Sequence, residues 1–226
     1  MKVNVMSSAA ERSRDISLKQ GDSSTTLGMT YPIVEHFYSL QGEGANAGKP
    51  AYFLRLSGCN VQCDFCDSKN SWNNTNAQEM ALEDIVNLVK KADAKNVVIT
   101  GGEPLLHDLT ELCNALRTHI PNVSLWLETS GTAPFSGDFD HVCLSPKKTH
   151  LPLSENYAKA NELKVIIQDF EDFEFAETQA EYVNPNCKLF LQTEWSAKNN
   201  EAIIDYILKN PKWQLSVQLH KVLNIQ

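Results

Sequence analysis

The chain has 226 residues, of which 42% are hydrophobic and 21% are charged, a composition typical of an ordinary globular protein. No apolar run approaches the roughly 18 residues that a membrane span requires. The net charge of −8 and the scattered lysines and arginines argue against direct binding to nucleic acid. A small-molecule substrate fits better, and since no secretory signal is visible, a cytoplasmic location is expected.

Residues 1–28 differ in composition from the rest of the chain. They are rich in serine, threonine and small polar residues, and they show neither a helical nor a strand period. We therefore expect a disordered N-terminal tail. Met29 stands directly before the first strand-like segment, so one hypothesis is that translation starts there. A single domain is predicted for residues 29–226.

Beyond the tail, strand-like and helix-like segments alternate. The predicted strands are residues 51–56, 97–100, 123–128, 141–144, 163–167, 188–192 and 213–220. The predicted helices are one opened by a capping box at Asn76 and Glu79, then residues 109–116, 170–182 and 201–209. This alternation favours an α/β fold with a mainly parallel sheet. A core of six strands with fewer than eight helices predicts an incomplete TIM-type barrel.

Three of the six cysteines, Cys59, Cys63 and Cys66, are clustered. Spacings of three and two intervening residues let one loop wrap its thiolates around a single inorganic core. A cubane cluster has four irons, and ordinary electron carriers give each iron a cysteine. Only three thiolates are supplied locally, so the pattern predicts an iron–sulfur cluster with one iron open to another ligand.

The remaining cysteines fit the core of the protein better. Cys113 lies on the apolar stripe of a predicted helix, Cys143 lies within a strand, and Cys187 stands just before one. A zinc site completed by a histidine is the alternative for the clustered cysteines. His36 is the nearest candidate before the loop, but it lacks ligand-like spacing. The sequence therefore favours the cluster over zinc.

The spacing Cys59-x3-Cys63-x2-Cys66 is similar to that of the radical S-adenosylmethionine superfamily. The resemblance implies a partial-barrel fold and a [4Fe–4S] cluster whose open iron is chelated by S-adenosylmethionine. It further implies that the reduced cluster cleaves this cofactor and releases a 5′-deoxyadenosyl radical. Phe65 is expected near the adenine, and Asp67 is expected to contribute to cofactor binding.

Polar motifs follow several of the predicted strands. They are Thr100-Gly101-Gly102-Glu103, Glu128-Thr129-Ser130-Gly131, Ser145-Pro146-Lys147 and Gln192. Glycines let the backbone approach a ligand, and barrel folds build their sites at the carboxyl ends of strands. Turn chemistry explains any one motif taken singly, but together the motifs predict one functional rim. The superfamily resemblance implies that Gly102, Ser145, Pro146, Lys147 and Gln192 line the cofactor.

A narrower resemblance rests on Leu40-Gln41-Gly42-Glu43-Gly44, together with Arg55 and Cys66-Asp67-Ser68. This combination resembles the 7-carboxy-7-deazaguanine synthase family, and the likeness runs from about residue 31 to the end. It implies conversion of 6-carboxy-5,6,7,8-tetrahydropterin to 7-carboxy-7-deazaguanine with loss of ammonia, in queuosine precursor biosynthesis. The implied pterin contacts are Leu40, Gln41, Gly42, Arg55 and Thr100, with Arg55 pairing with a carboxylate.

The same resemblance implies a magnesium ion held by the hydroxyl of Ser68, where threonine is common in the family. It also implies a homodimer and an electron donor such as flavodoxin or ferredoxin. Thr193 stands where the family often has proline. His220 and Lys221 resemble the family's ending, and we interpret them as a solvated strand end.

Two other functions remain open from the sequence. A radical activase that installs a glycyl radical on a partner protein uses the same cysteine spacing, but it gives Leu40–Gly44 and Ser68 no purpose. The non-enzyme alternative is a zinc-stabilised binding module. Iron content after anaerobic reconstitution separates the cluster from zinc.

Overall fold

The structure is a computed structural model that describes residues 28–226. Its strands are β1 Thr30–Leu40, β2 Pro50–Leu56, β3 Gln78–Ala81, β4 Asn96–Gly101, β5 Ser124–Thr129, β6 His141–Leu144, β7 Glu162–Ile167, β8 Lys188–Thr193 and β9 Trp213–Ser216. Its helices are α1 Leu82–Lys91, α2 Thr110–His119, α3 Ser154–Tyr157, α4 Glu171–Ala180, α5 Asn200–Lys209 and α6 Leu219–Leu223. Apart from Gly28, the predicted tail lies outside the described residues.

All nine strands belong to one sheet, in the order β3-β1-β2-β4-β5-β6-β7-β8-β9. The pairs from β2 to β9 are parallel, which gives seven parallel strands (β2 and β4 to β9) rather than six. Strand β1 pairs antiparallel with both β2 and β3. Within residues 28–226 no pairing joins β3 to β9, so the barrel is open. The predicted incomplete barrel is confirmed.

Side chains alternate across each strand, and the two faces of the sheet have different chemistry. Outward-facing residues such as Leu54, Ile99 and Leu127 are fully buried beneath α1 and α2, while Leu163 and Val165 pack under α4 and α5. Burying such side chains contributes about 1.5–3 kcal/mol each to stability. The inner face is mixed: a small apolar cluster that includes Phe53 and Val98 lies beside charged and polar side chains such as Arg55 and Lys164. The helices therefore pack on the outside of the barrel, and the polar groups lie inside it.

The predicted capping box is wrong. Residues 78–81 form β3, where Glu79 pairs with Pro32 of β1 and accepts a hydrogen bond from the Thr30 hydroxyl at 2.6 Å. Pairing with β1 satisfies backbone groups that a helical turn would otherwise have bonded. Helix α1 begins at Leu82, with Glu83 and Asp84 in its first turn, where acidic side chains favour the helix dipole.

The last strand also ends earlier than its alternating sequence predicts. It stops at Ser216, and residues 219–223 form α6. The Leu219 amide donates to the Gly42 carbonyl at 2.9 Å instead of continuing a strand ladder. A contact with a distant part of the chain thus overrides the local β pattern. Within residues 28–226, no helix is long and apolar enough to cross a membrane.

Candidate active site

A cavity of about 490 Å³ lies at the carboxyl ends of the parallel strands. The residues predicted to contact the cofactor or its cluster line it, with the exception of Pro146: Cys59, Cys63, Phe65, Cys66, Asp67, Gly102, Ser145, Lys147 and Gln192. The residues predicted to contact substrate or magnesium also line it: Leu40, Gln41, Gly42, Arg55, Ser68 and Thr100. Segments that are distant in the sequence therefore share one space.

The cysteine loop, residues 58–68, follows β2 and is fixed by backbone hydrogen bonds. Gly58 and Cys59 donate to the Ser71 and Trp72 carbonyls, at 2.8 and 3.1 Å. The three cysteines of the loop are half-buried and line the cavity. Within residues 28–226, no three metal-ligating side chains converge on a single ion position, and a cubane distributes its ligands over separate irons. Three thiols on one cavity wall fit such a group.

The other three cysteines do not line the cavity and are buried, which the sequence had predicted for Cys113. Cys113 and Cys187 belong to the two main apolar clusters. Burial raises the pKa of Cys113 to about 11 and that of Cys187 to about 12. Burial also raises the pKa of Cys143 well above the usual thiol value. All three are therefore neutral thiols at neutral pH.

The turn after β4 packs directly on the cysteine loop. The Gly102 amide donates to the Leu56 carbonyl at 3.1 Å, and the Glu103 amide donates to the Gly58 carbonyl at 2.8 Å. A Cβ atom on Gly102 would lie 2.2 Å from the Gly58 oxygen and 2.7 Å from Cys59 Cβ. Only glycine permits so close an approach of two backbone segments. The sequence had suggested an approach to a ligand; the structure adds this packing role.

Glu103 joins the ends of two neighbouring strands. Its carboxylate is fully buried and accepts from the Leu105 amide at 3.0 Å, the Thr129 hydroxyl at 2.5 Å and the Ser130 amide at 2.8 Å. A buried carboxylate needs such donors to offset the loss of hydration. The side chain therefore holds the rim of the cavity together, between β4 and β5.

The predicted cofactor wall continues on β6 and β8. Lys147 Nζ donates to the carbonyl and hydroxyl oxygens of Ser145, at 2.6 and 2.7 Å. Burial lowers the pKa of Lys147, with Cys63 acting in the opposite direction. Gln192 is buried and accepts from the Ser216 hydroxyl at 2.6 Å. Next to it, Thr193 donates its hydroxyl to the Glu194 carbonyl at 3.0 Å, a bond that proline could not make.

The predicted substrate segment, residues 40–44, follows β1 and is bonded to strands on the other side of the barrel. Gln41 Nε2 donates to Glu128 Oε1 at 2.9 Å, which ties the segment to β5. The Gly44 amide donates to the Ser216 hydroxyl of β9 at 3.0 Å, and the Ala45 amide donates to Glu162 Oε2 of β7 at 2.9 Å. These bonds fix the segment between the two ends of the open sheet.

His220 is not part of a solvated strand end, and that interpretation is wrong. It lies in α6, lines the cavity and packs on Gly42, where a Cβ atom would come within 2.3 Å of His220 Nδ1. Burial lowers the pKa of His220. Its neighbour Lys221 also lines the cavity and forms an ion pair with Asp67 at 3.0 Å. The C-terminal segment is therefore a wall of the site.

Arg55 and Thr100 occupy neighbouring positions on the inner face of the sheet, in register between β2 and β4. Arg55 Nε donates to Glu35 Oε1 of β1 at 2.5 Å, and the Arg55 side chain is 18% exposed. The Glu35 carboxylate holds the guanidinium against the wall, and both side chains line the cavity. An anchored guanidinium in a partly buried site is suited to binding an anionic group.

Sequence reasoning missed Lys164, which lies on the inner face of β7. Its Nζ atom is 2.6 Å from Glu43 Oε2 and 2.8 Å from Glu128 Oε2, and the residue is 4% exposed. A signal was present: strands of a parallel sheet are usually continuous apolar runs, and lysine is almost never buried without a partner. The lysine within Glu162–Ile167 therefore indicated an inward-facing charge.

Comparisons with known proteins agree with this arrangement. Residues 54–147 match the model of the radical SAM superfamily. A 7-carboxy-7-deazaguanine synthase from Flavobacterium psychrophilum is 48% identical over 200 residues, which cover 88% of this chain and 94% of the relative. One from Synechocystis is 46% identical over 210 residues, covering 92% of this chain and all of the relative.

A solved structure of a related protein is also similar to this chain. The crystal structure of QueE from Escherichia coli superposes with a TM-score of 0.77 at 31% identity, covering 88% of this chain and all of the other. An open barrel with this cysteine loop defines the chain as a radical SAM enzyme, a class that implies a [4Fe–4S] cluster and S-adenosylmethionine. Within that class, the chain belongs to the 7-carboxy-7-deazaguanine synthase family.

Proposed function

We propose that this chain converts 6-carboxy-5,6,7,8-tetrahydropterin to 7-carboxy-7-deazaguanine with release of ammonia, as a carbon–nitrogen lyase of queuosine precursor biosynthesis. The observation that carries the proposal is a shared cavity. The three clustered thiols line the same space as Gln41, Gly42 and Arg55. A reaction that generates a radical at one wall and consumes it on a substrate needs both walls within one enclosed volume.

The two walls have different chemistry. The cofactor wall is formed by the cysteine loop and by the polar groups after β4, β6 and β8, and its thiols and oxygen acceptors suit a cluster and a charged nucleoside. When bound, the reduced cluster and S-adenosylmethionine would supply the radical chemistry needed to remove hydrogen from the pterin carbon that bears the carboxylate. Cys59, Cys63 and Cys66 would hold the cluster, and Phe65 and Gly102, which also line the cavity, would contribute to the surface for the nucleoside.

The substrate wall, formed by Gln41, Gly42, Arg55 and Thr100, suits an anionic pterin. Arg55, held by Glu35, offers a planar cation to the substrate carboxylate. Thr100 stands next to Arg55 in register and supplies a hydroxyl. The side chain of Gln41 and the backbone of Gly42 complete this wall, so the substrate is oriented with its carboxylate at Arg55.

The experiment that tests the function is anaerobic reconstitution of the full chain with iron and sulfide. We expect about four irons per chain and, with S-adenosylmethionine, reductant and the carboxypterin, formation of 7-carboxy-7-deazaguanine. S-adenosylmethionine should act catalytically, because the hydrogen is returned after rearrangement. Protein that binds the cluster and cleaves S-adenosylmethionine but leaves the carboxypterin unchanged would contradict the proposal.

A magnesium ion at Ser68 is the second part of the proposed site. Ser68 begins a short 3-10 turn, residues 69–71, yet its side chain makes no capping hydrogen bond to that turn. Its hydroxyl instead donates to Asp67 Oδ1 at 3.2 Å, and both residues line the cavity. Hydroxyl and carboxylate oxygens are ligands suited to a hard cation that keeps several waters. The Ser68 hydroxyl would hold magnesium, with waters and substrate completing its shell, and Asp67 lies beside it.

Replacing Ser68 by alanine should weaken the magnesium dependence of turnover and leave the iron content unchanged. The substitution removes one oxygen ligand, and losing a ligand or a group that orients one lowers metal affinity by about 10–100-fold. Ser68→Thr is the matched control, since it keeps the hydroxyl. The measurement is the magnesium concentration that gives half-maximal activity. If Ser68→Ala instead loses its cluster, the residue supports the cysteine loop and the assignment is wrong.

Further properties belong to the same proposal. Residues 29–226 act as a single domain, which is supported by one continuous sheet from β1 to β9. The family resemblance supports a homodimer, an electron donor such as flavodoxin or ferredoxin, and a cytoplasmic location.

A further inference from the structure

Lys164 joins three separate parts of the cavity wall. It points inward from β7, and its ammonium contacts Glu43 from the substrate segment and Glu128 from β5. Each carboxylate also accepts from an amide that lines the cavity: Glu128 from Gln41 at 2.9 Å, and Glu43 from Gln218 at 3.0 Å. One ammonium and two amides thus hold the two carboxylates in fixed orientations.

Lys164 and the acidic groups around it shift each other's pKa values in opposite directions. Burial alone would raise the pKa of Glu43, but the Lys164 ammonium, aided by Gln218, lowers it to about 2. Burial alone would lower the pKa of Lys164, but the surrounding acidic groups raise it well above its usual range. Other titratable groups face Lys164 and its two carboxylates: Cys143 on β6, Glu162 on β7, Lys147 after β6 and His220 on α6.

We infer that Lys164 is a positioning residue: its ammonium holds the Glu43 and Glu128 carboxylates in the orientation of paired acceptors for the pyrimidine edge of the pterin. This inference rests on the proposed function. That edge of a pterin presents N–H donors from its 2-amino group and the adjacent ring nitrogen. Carboxylates are acceptors only when ionised, and they bind such paired donors strongly.

Without the ammonium, the two carboxylates would be close together in a cavity with little water. Like charges in such a site cannot both ionise at their ordinary pKa, and one of the two is raised strongly. The protonated carboxyl would then be a donor facing the donors of the substrate. Pterin binding by a variant without the ammonium would therefore depend on pH more steeply than binding by the wild type.

The test is the pH profile of kcat/KM for the carboxypterin in reconstituted wild type, Lys164→Met and Lys164→Arg. We expect the ratio of Lys164→Met to wild type to fall as the pH is lowered. The fall should be about tenfold for each unit below the raised pKa. Lys164→Arg keeps the charge and should follow the wild-type profile. Iron content, measured in all three proteins, checks that each one assembles its cluster.

A second variant keeps the inference falsifiable if Lys164→Met is poorly folded. Lys164→Met combined with Glu43→Gln leaves one carboxylate, so the additional pH dependence should disappear. A ratio for Lys164→Met that does not change with pH would overturn the inference, because a structural defect lowers activity equally at every pH. Failure of the proposed function is distinct, since the wild type itself would then leave the carboxypterin unchanged.

Discussion

Replacing Cys63 by alanine should abolish turnover and lower the iron content of the reconstituted protein. Cys63 supplies one of only three thiols on the cavity wall, and the cluster carries the chemistry that the side chains cannot provide. Loss of one ligand in three leaves two irons without protein ligands instead of one. We expect activity at background level, with iron and sulfide measured per chain and the cluster absorbance recorded under anaerobic conditions.

Cys187→Ala is the matched control for this experiment. Cys187 is buried in the cluster of apolar side chains under α4 and α5, away from the cavity. Its removal leaves a small cavity, which costs about 1 kcal/mol, and the iron content and activity should be those of the wild type. Equal iron loss in both variants would show that the cysteine loop is not the only site of iron binding.

Replacing Gly102 by alanine should damage the cysteine loop, although Gly102 supplies no ligand through a side chain. The new Cβ would lie 2.2 Å from the Gly58 carbonyl oxygen and 2.7 Å from Cys59 Cβ. Both obstacles belong to the start of the cysteine loop, so the loop must move. Such overpacking costs about 1–3 kcal/mol, and for a chain of this size each kcal/mol lowers Tm by about 2–4 °C.

The consequence for function should be larger than the consequence for stability. Displacing Cys59 moves a cluster ligand, and a misplacement of about 1 Å can cost roughly 100-fold in rate. We expect Gly102→Ala to show reduced iron content, weaker S-adenosylmethionine binding and a lower Tm in a thermal melt. A variant with normal iron content and normal cofactor binding would show that the two segments separate without disturbing the site.

Gly42→Ala provides the contrast, because its obstacle is His220 of α6 and not the cysteine loop. This variant should retain its iron and its basal cleavage of S-adenosylmethionine while raising KM for the pterin. The two alanine substitutions together therefore separate the cofactor wall from the substrate wall.

Several features could be predicted from the sequence because their signals are local. The cysteine spacing sets how far three thiols can be apart, whatever the rest of the chain does. Alternating strands and helices predicted the open, mainly parallel barrel, since apolar periodicity decides which face of an element is buried. The motifs at strand ends followed from topology, as the carboxyl ends of parallel strands meet at one rim.

Where local signals competed with distant contacts, the predictions failed. Residues 76–79 contain a capping-box pattern, but an available edge on β1 made Gln78–Ala81 a strand. Residues 213–220 alternate like a strand, but the Leu219 amide donates a hydrogen bond to the Gly42 carbonyl, and a helix begins at Leu219. In both cases a backbone partner far away in the sequence decided the outcome.

By itself, the sequence determined the chemistry available to this protein: three clustered thiols, a parallel barrel to carry them, and the family to which they belong. Only the tertiary structure decided which charges meet inside the barrel. Lys164 is separated from Glu43 by 121 residues and from Glu128 by 36, yet it contacts both. The physical reason is that strand order and register determine which inward side chains meet, and the residues that set that register lie throughout the chain.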